Sequence, residues 1–136
     1  MFRTILFRLD GGFLALAGAV QLVLELLAYF AGRGPYGAVL EHSPYAIPWV
    51  EAHGLALLIG ALFLLVAAHD RRAFWHGFAI AVHVLLGTAN LVFWDSFTAL
   101  NLVLMGVLTT AAHALFVGAH TMALRTVQKA QAVTAA

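Results

Sequence analysis

The chain has 136 residues, 63% of them hydrophobic and 10% charged, where a soluble domain carries roughly 25% charged and about 45–50% apolar residues. A water-facing surface cannot be made from that composition, and the mean hydropathy of +0.95 points to a chain solvated mainly by lipid. Seven basic against six acidic residues leave a net charge of +1, which offers no footprint for nucleic acid. The absence of cysteine excludes disulfides, thiolate nucleophiles, iron–sulfur clusters and cysteine-based zinc sites.

Four apolar segments follow one another, 5–31, 48–68, 73–94 and 97–120, each of 21 residues or more. About 20 residues suffice to cross the hydrocarbon. The fold expected is therefore all-α, a single integral membrane domain over 1–136 built as a four-helix bundle that runs up-down-up-down. Its connections differ in kind. Residues 32–47 (GRGPYGAVLEHSPYAI) form a long turn-rich loop with two prolines, whereas 69–72 and 95–96 are tight links. Residues 121–136 lose apolar content and are expected to fray after one or two turns.

In such a chain the N-terminus, the second connection and the C-terminal tail share one side. Arg3, Arg8, Arg71, Arg72, Arg125 and Lys129 all fall there, and Arg33 alone falls on the other. The positive-inside rule then makes both termini cytoplasmic. Trp49 and Trp94 at outer boundaries and Trp75 at an inner one agree with that orientation. A cleaved signal peptide is the competing reading of the first segment, from Arg3 and Arg8 ahead of Ala17-Gly18-Ala19. Asp10 in the basic region speaks against it.

Polar residues at membrane depth are few. Along the first helix Gly11, Gly18, Gln21, Glu25, Ala28 and Gly32 recur at threes, fours and sevens, which puts them on one face, expected to pack inward. Glu25 lies six residues from the outer end, about 9 Å deep at 1.5 Å per residue. There an unpaired carboxylate costs several kcal/mol and must neutralise or find a partner, with His53 and Asn90 the best candidates by depth. The same count puts Glu51, His53, Asn90 and Asn101 within about 4–9 Å of the outer boundary. Glu51 and His53, two residues apart, point roughly 200° apart and cannot both face the bundle axis. The alternative for Glu51 is the positive end of its own helix, just after Pro48, which favours a carboxylate.

The third segment carries His76, His83 and Asn90 at steps of seven, and the fourth carries His113 and His120 at the same step. A hairpin centred near residue 98 sets facing residues at a constant index sum. His76 is thus expected level with His120, and His83 with His113. Metal ligation needs more than two converging imidazoles, and no HxxH or HExxH supplies them, so no metal site is expected. A bis-histidine haem at His83 and His113 is an alternative, against which stands the 8–10 Å spacing typical of adjacent helices. Interhelical hydrogen bonding, with Thr88, Thr109 or Thr110 as partners, is the plainer use of these two rings.

Arg8, Gly12 and Gly18 in the first helix, Glu51, Gly54 and Gly60 in WVEAHGLALLIGALFLL, and the basic turn at Arg71 and Arg72 resemble the DoxX-like group of small four-helix bacterial membrane proteins. Where that group often has a lysine late in the first helix, this chain has Gln21. The resemblance covers the first three helices. It implies a bacterial plasma (inner) membrane and association with membrane oxidoreductase or quinone-linked complexes. Glu51 and the glycines carry over, as packing and pocket residues.

The first functional reading is a noncatalytic or accessory membrane protein with a polar pocket beneath the 32–47 loop, taking a small lipid-soluble ligand such as a quinone. Its candidate ligand-binding residues are Gln21, Glu25, Glu51, His53, His83, Asn90, Asn101 and His113. Beside the lipid bilayer, a second copy of the chain or an oxidoreductase complex is the expected partner, and the composition names no cofactor. No nucleophile and base stand in a recognised arrangement, so enzymatic activity is left open. The alternatives are a proton or ion pathway through Glu25, Gln21, His83 and His113, and a haem redox protein using His83 and His113.

Overall fold

The computed structural model describes residues 2–69 and 73–134, and among them every regular element is helical. In chain order these are α1 (Phe2–Ala31), α2 (Gly37–Leu40), α3 (Ala46–His69), α4 (Ala73–Val92), α5 (Trp94–Ala99) and α6 (Val103–Thr134). Four of them, α1, α3, α4 and α6, are long and apolar enough to cross a bilayer. Arg71 and Arg72, part of the basic turn, lie outside the described residues. The chain divides into two compact units, Met1–His69 and Asp70–Ala136, each described by itself below.

Three boundaries depart from the sequence expectation. Helix α3 starts at Ala46 and takes Pro48 into its first turn, where a missing N–H costs nothing because no intrahelical acceptor is available there. The last long helix begins at Val103, because 94–99 close a short helix of their own before a turn at Asn101. That turn has Asn101 at φ 57°, a left-handed conformation that asparagine tolerates better than most residues. Finally, α6 continues to Thr134 instead of fraying soon after His120.

The first unit is an antiparallel pair, α1 on α3, with the α2 loop packed against α1. Phe7 meets Phe63 edge-on at 5.6 Å, and glycines let the backbones touch farther along. A Cβ at Gly18 would stand 2.6 Å from the Leu57 nitrogen and 2.7 Å from the His53 carbonyl oxygen. One at Gly60 would run into the backbone of Ala15. Small residues at such crossings are how helices associate where lipid removes the usual hydrophobic drive. Helix α1 stops at Gly32, whose φ of 58° sends its N–H back to the Ala28 carbonyl at 3.0 Å, with Pro35 soon after.

The second unit is again an antiparallel pair, α4 on α6, with α5 folded against the start of α6. In both units the usual pattern of burial is inverted. Leu16, Phe30, Leu85, Leu104 and Leu115 stand at the surface, while Asp10, Glu25, His76, His83 and His120 are at most 1% exposed. Apolar outside and ionisable inside is the arrangement lipid demands.

Candidate functional site

The α1–α3 face gathers the first polar cluster. Glu25, fully buried, is reached by His53 from α3, with Nδ1 and Oε1 2.5 Å apart. The His53 side chain is 35% exposed and that of Glu25 is 0% exposed, so the ring spans from the carboxyl to the unit's surface. Glu25 Oε2 is buried and has no hydrogen-bond partner among the described residues. One turn before Glu25, Gln21 accepts a 2.6 Å hydrogen bond from the Tyr36 hydroxyl.

Tyr36 comes from the loop and is the surprise of this cluster. Only 2% exposed, it lies edge-on to Trp49 at 5.2 Å and fastens the loop down on α1. Burial raises its phenol pKa above the ordinary 10.0, the Gln21 hydrogen bond opposes that, and the negative charge of Glu25 adds to the rise. The phenol therefore stays protonated and donating at neutral pH. The sequence marks 32–47 only as a turn-rich excursion, and nothing in Pro35-Tyr36-Gly37 signals that this tyrosine is a core residue. Asp10, fully buried on α1, was likewise legible only as a charge inside a basic region.

Protonation bookkeeping says what the Glu25–His53 pair can do. In an apolar setting the pair avoids a net charge. With zero net charge it is either carboxylate with imidazolium or carboxylic acid with neutral imidazole, the latter protonated at Nε2 because Nδ1 accepts from the acid. Both forms leave a proton on Nε2. The ring thus offers an N–H donor at Nε2 in either form.

The second cluster lies between α4 and α6. His83 and His113 meet Nδ1 to Nδ1 at 2.8 Å, and His76 and His120 do the same at 2.9 Å. Both rungs expected from the constant index sum are present. The rings hydrogen-bond each other and not the threonines considered from sequence. Phe116 stacks on His83 at 4.9 Å and 18°. Beyond this rung Asn90 donates to Thr109 at 3.1 Å, and the Thr109 hydroxyl donates in turn to the Met105 carbonyl at 2.8 Å. A tetrahedral zinc bound by both rings of a rung would hold its nitrogens about 3.3 Å apart, given bonds of about 2.0–2.1 Å. The observed spacings are those of hydrogen bonds, and no group of three or more metal-ligating side chains occurs among the described residues.

The candidate residues thus separate. Gln21, Glu25 and His53 join the first cluster, and His83, Asn90 and His113 the second. Glu51 is exposed, and with α3 starting at Ala46 it sits in the second turn, past the strongest influence of the helix end. Asn101 is exposed in the α5–α6 turn, which corrects its expected place inside a long helix. No family model matches the chain, and neither does any curated protein or solved structure.

Proposed function

We propose that this is a small multi-pass membrane protein that binds a lipid-soluble carbonyl compound of the quinone class at the Glu25–His53 pair. The observation that carries the reading is a fully buried carboxyl holding an imidazole that is one-third exposed. A quinone needs a hydrogen-bond donor for each carbonyl and an apolar slot for its ring. His53 Nε2–H supplies one donor, and Trp49, one turn earlier on α3 and backed by Tyr36 in edge contact, supplies aromatic surface nearby. The docked loop then acts as a cover that the ligand must pass. Membership of the DoxX-like group, a bacterial plasma membrane, cytoplasmic termini and service as an accessory subunit of an oxidoreductase complex belong to the same proposal.

The test is to purify the protein from its own membrane and extract it with solvent. A quinone-type spectrum that changes on reduction is expected, diminished in Glu25→Ala and His53→Phe and retained in Glu51→Ala. An extract without any such compound overturns the reading. Tags on the two termini reporting from opposite faces would remove the proposed orientation.

A further inference from the structure

Helix α6 has two faces with different duties. His113, His120, Ala123 and Val127 are buried and mark the face turned inward. On the opposite side Leu115 and Met122, 74% and 68% exposed, share the surface with Gly118, Arg125 and Lys129, and at 3.6 residues per turn the five fall within about 80° of one another. A Cβ at Gly118 would meet nothing within 4 Å, so Leu115 and Met122 flank a shallow notch. Two cations, one turn apart, follow it.

The position of those cations along the helix is set by the neighbouring one. The His76–His120 and His83–His113 contacts fix the register and put Ala123 level with Ala73, where α4 begins. The 20 residues of α4 span about 30 Å, the thickness of the hydrocarbon, whereas α6 has 32 and runs on. Arg125 and Lys129 therefore stand about 3 and 9 Å past the hydrocarbon edge, at headgroup level. Phe74, Trp75 and Phe78, in ring contact with one another at this end of α4, are the aromatic grouping such a boundary favours. No carboxylate of residues 73–134 answers the two cations, because Asp95 is the sole acid there and lies at the other end, in α5.

We propose that this face of α6 binds an anionic phospholipid of the surrounding leaflet, its phosphate held by Arg125 and Lys129 and one acyl chain laid in the Gly118 notch. An arginine fork suits phosphate oxygens and a lysine adds a point charge. From Arg125 to Leu115 is about 15 Å, half the hydrocarbon thickness and so the depth that one acyl chain reaches.

Native mass spectrometry tests this on protein released from nanodiscs of equal parts phosphatidylglycerol and phosphatidylcholine with the same chains. Wild type should retain the anionic lipid at least about tenfold over the zwitterionic one, the order that two cations at a membrane surface provide. Arg125→Gln with Lys129→Gln should retain the two equally, while Arg3→Gln on α1 should keep the preference. Gly118→Leu fills the notch without touching the cations and should lower the retained phosphatidylglycerol several-fold. All these positions but Arg3 are exposed, and thermal unfolding in detergent checks that each variant is folded. The chain has no cysteine, so a nitroxide on a single cysteine at Met122 reports whether a second copy covers the face instead, and no coupling between chains is expected. Equal retention of both lipids by wild type, an unaltered preference in the double variant, a loss in Arg3→Gln as large as in that variant, unchanged retention in Gly118→Leu, or dipolar coupling between Met122 labels overturns the proposal.

Discussion

The two units bury polar groups between a pair of helices by opposite means. On α1–α3 the partners are unlike, an acid and a base, and one of them reaches the surface. On α4–α6 the partners are alike, imidazole against imidazole, and both are sealed in. An unlike pair has a direction, since the buried carboxyl keeps a proton on the outward side of the ring, and that suits handing a hydrogen bond to a ligand. A like pair has no such built-in direction. The helices differ to match. Glycine contacts fix α1 against α3 backbone to backbone, whereas on α4 and α6 a Cβ at Gly87 would meet the His113 side chain at 3.3 Å and one at Gly77 or Gly118 would meet nothing within 4 Å.

The largest effects should come from that difference in packing. Gly60→Ala pushes a methyl into the backbone of Ala15, and overpacking of this kind costs about 1–3 kcal/mol. Gly118→Ala on α6 meets nothing within 4 Å and should stay within about 0.5 kcal/mol of wild type. Thermal unfolding in mild detergent measures both, and equal losses would erase the contrast.

Breaking one partner in each unit comes next. Glu25→Ala and His113→Ala each remove one half of a hydrogen-bonded pair, worth about 1–3 kcal/mol where a buried group loses its partner. Replacing both members of the unlike pair, as in Glu25→Leu with His53→Phe, should recover most of that stability, because no polar group is then stranded. Ligand content should not recover with it, and a double variant that still carries ligand would separate the carboxyl–imidazole pair from binding.

Tyr36→Phe should cost about 0.5–1.5 kcal/mol through loss of the Gln21 hydrogen bond. Its pH dependence has a definite sign. The phenol pKa is raised in the folded state, so the stabilisation is fully present below the unfolded value of about 10 and disappears as pH rises through the folded one. Unfolding measured across the alkaline range should show that loss in wild type and not in Tyr36→Phe. The smallest effect is expected for Asn90→Ala, about 0.6 kcal/mol for one interhelical hydrogen bond.

What could be read from sequence follows the strength of each local signal. Four apolar runs sufficed for four long helices, and heptad spacing about a short connection sufficed for both histidine rungs, because antiparallel helices preserve an index sum. Glu25 on a face of small residues pointed inward, and depth offered His53 and Asn90 as partners, of which His53 is the one found while Asn90 bonds Thr109. Tyr36 was invisible because burial of a loop residue depends on how the loop folds back, which no periodicity encodes. Asn101 was placed wrongly because hydropathy runs straight across a short helix and a turn without a break.

The central claim, that the Glu25–His53 pair presents an N–H donor to a lipid-soluble carbonyl ligand, is tested most directly by calorimetric titration of a short-tailed benzoquinone into the protein in nanodiscs. His53→Phe keeps a ring of similar size and removes the donor. Wild type should bind at least about tenfold more tightly than His53→Phe, equivalent to about 1.4 kcal/mol, with Glu25→Gln between the two. Equal binding by wild type and His53→Phe, or no binding by either, would contradict the account.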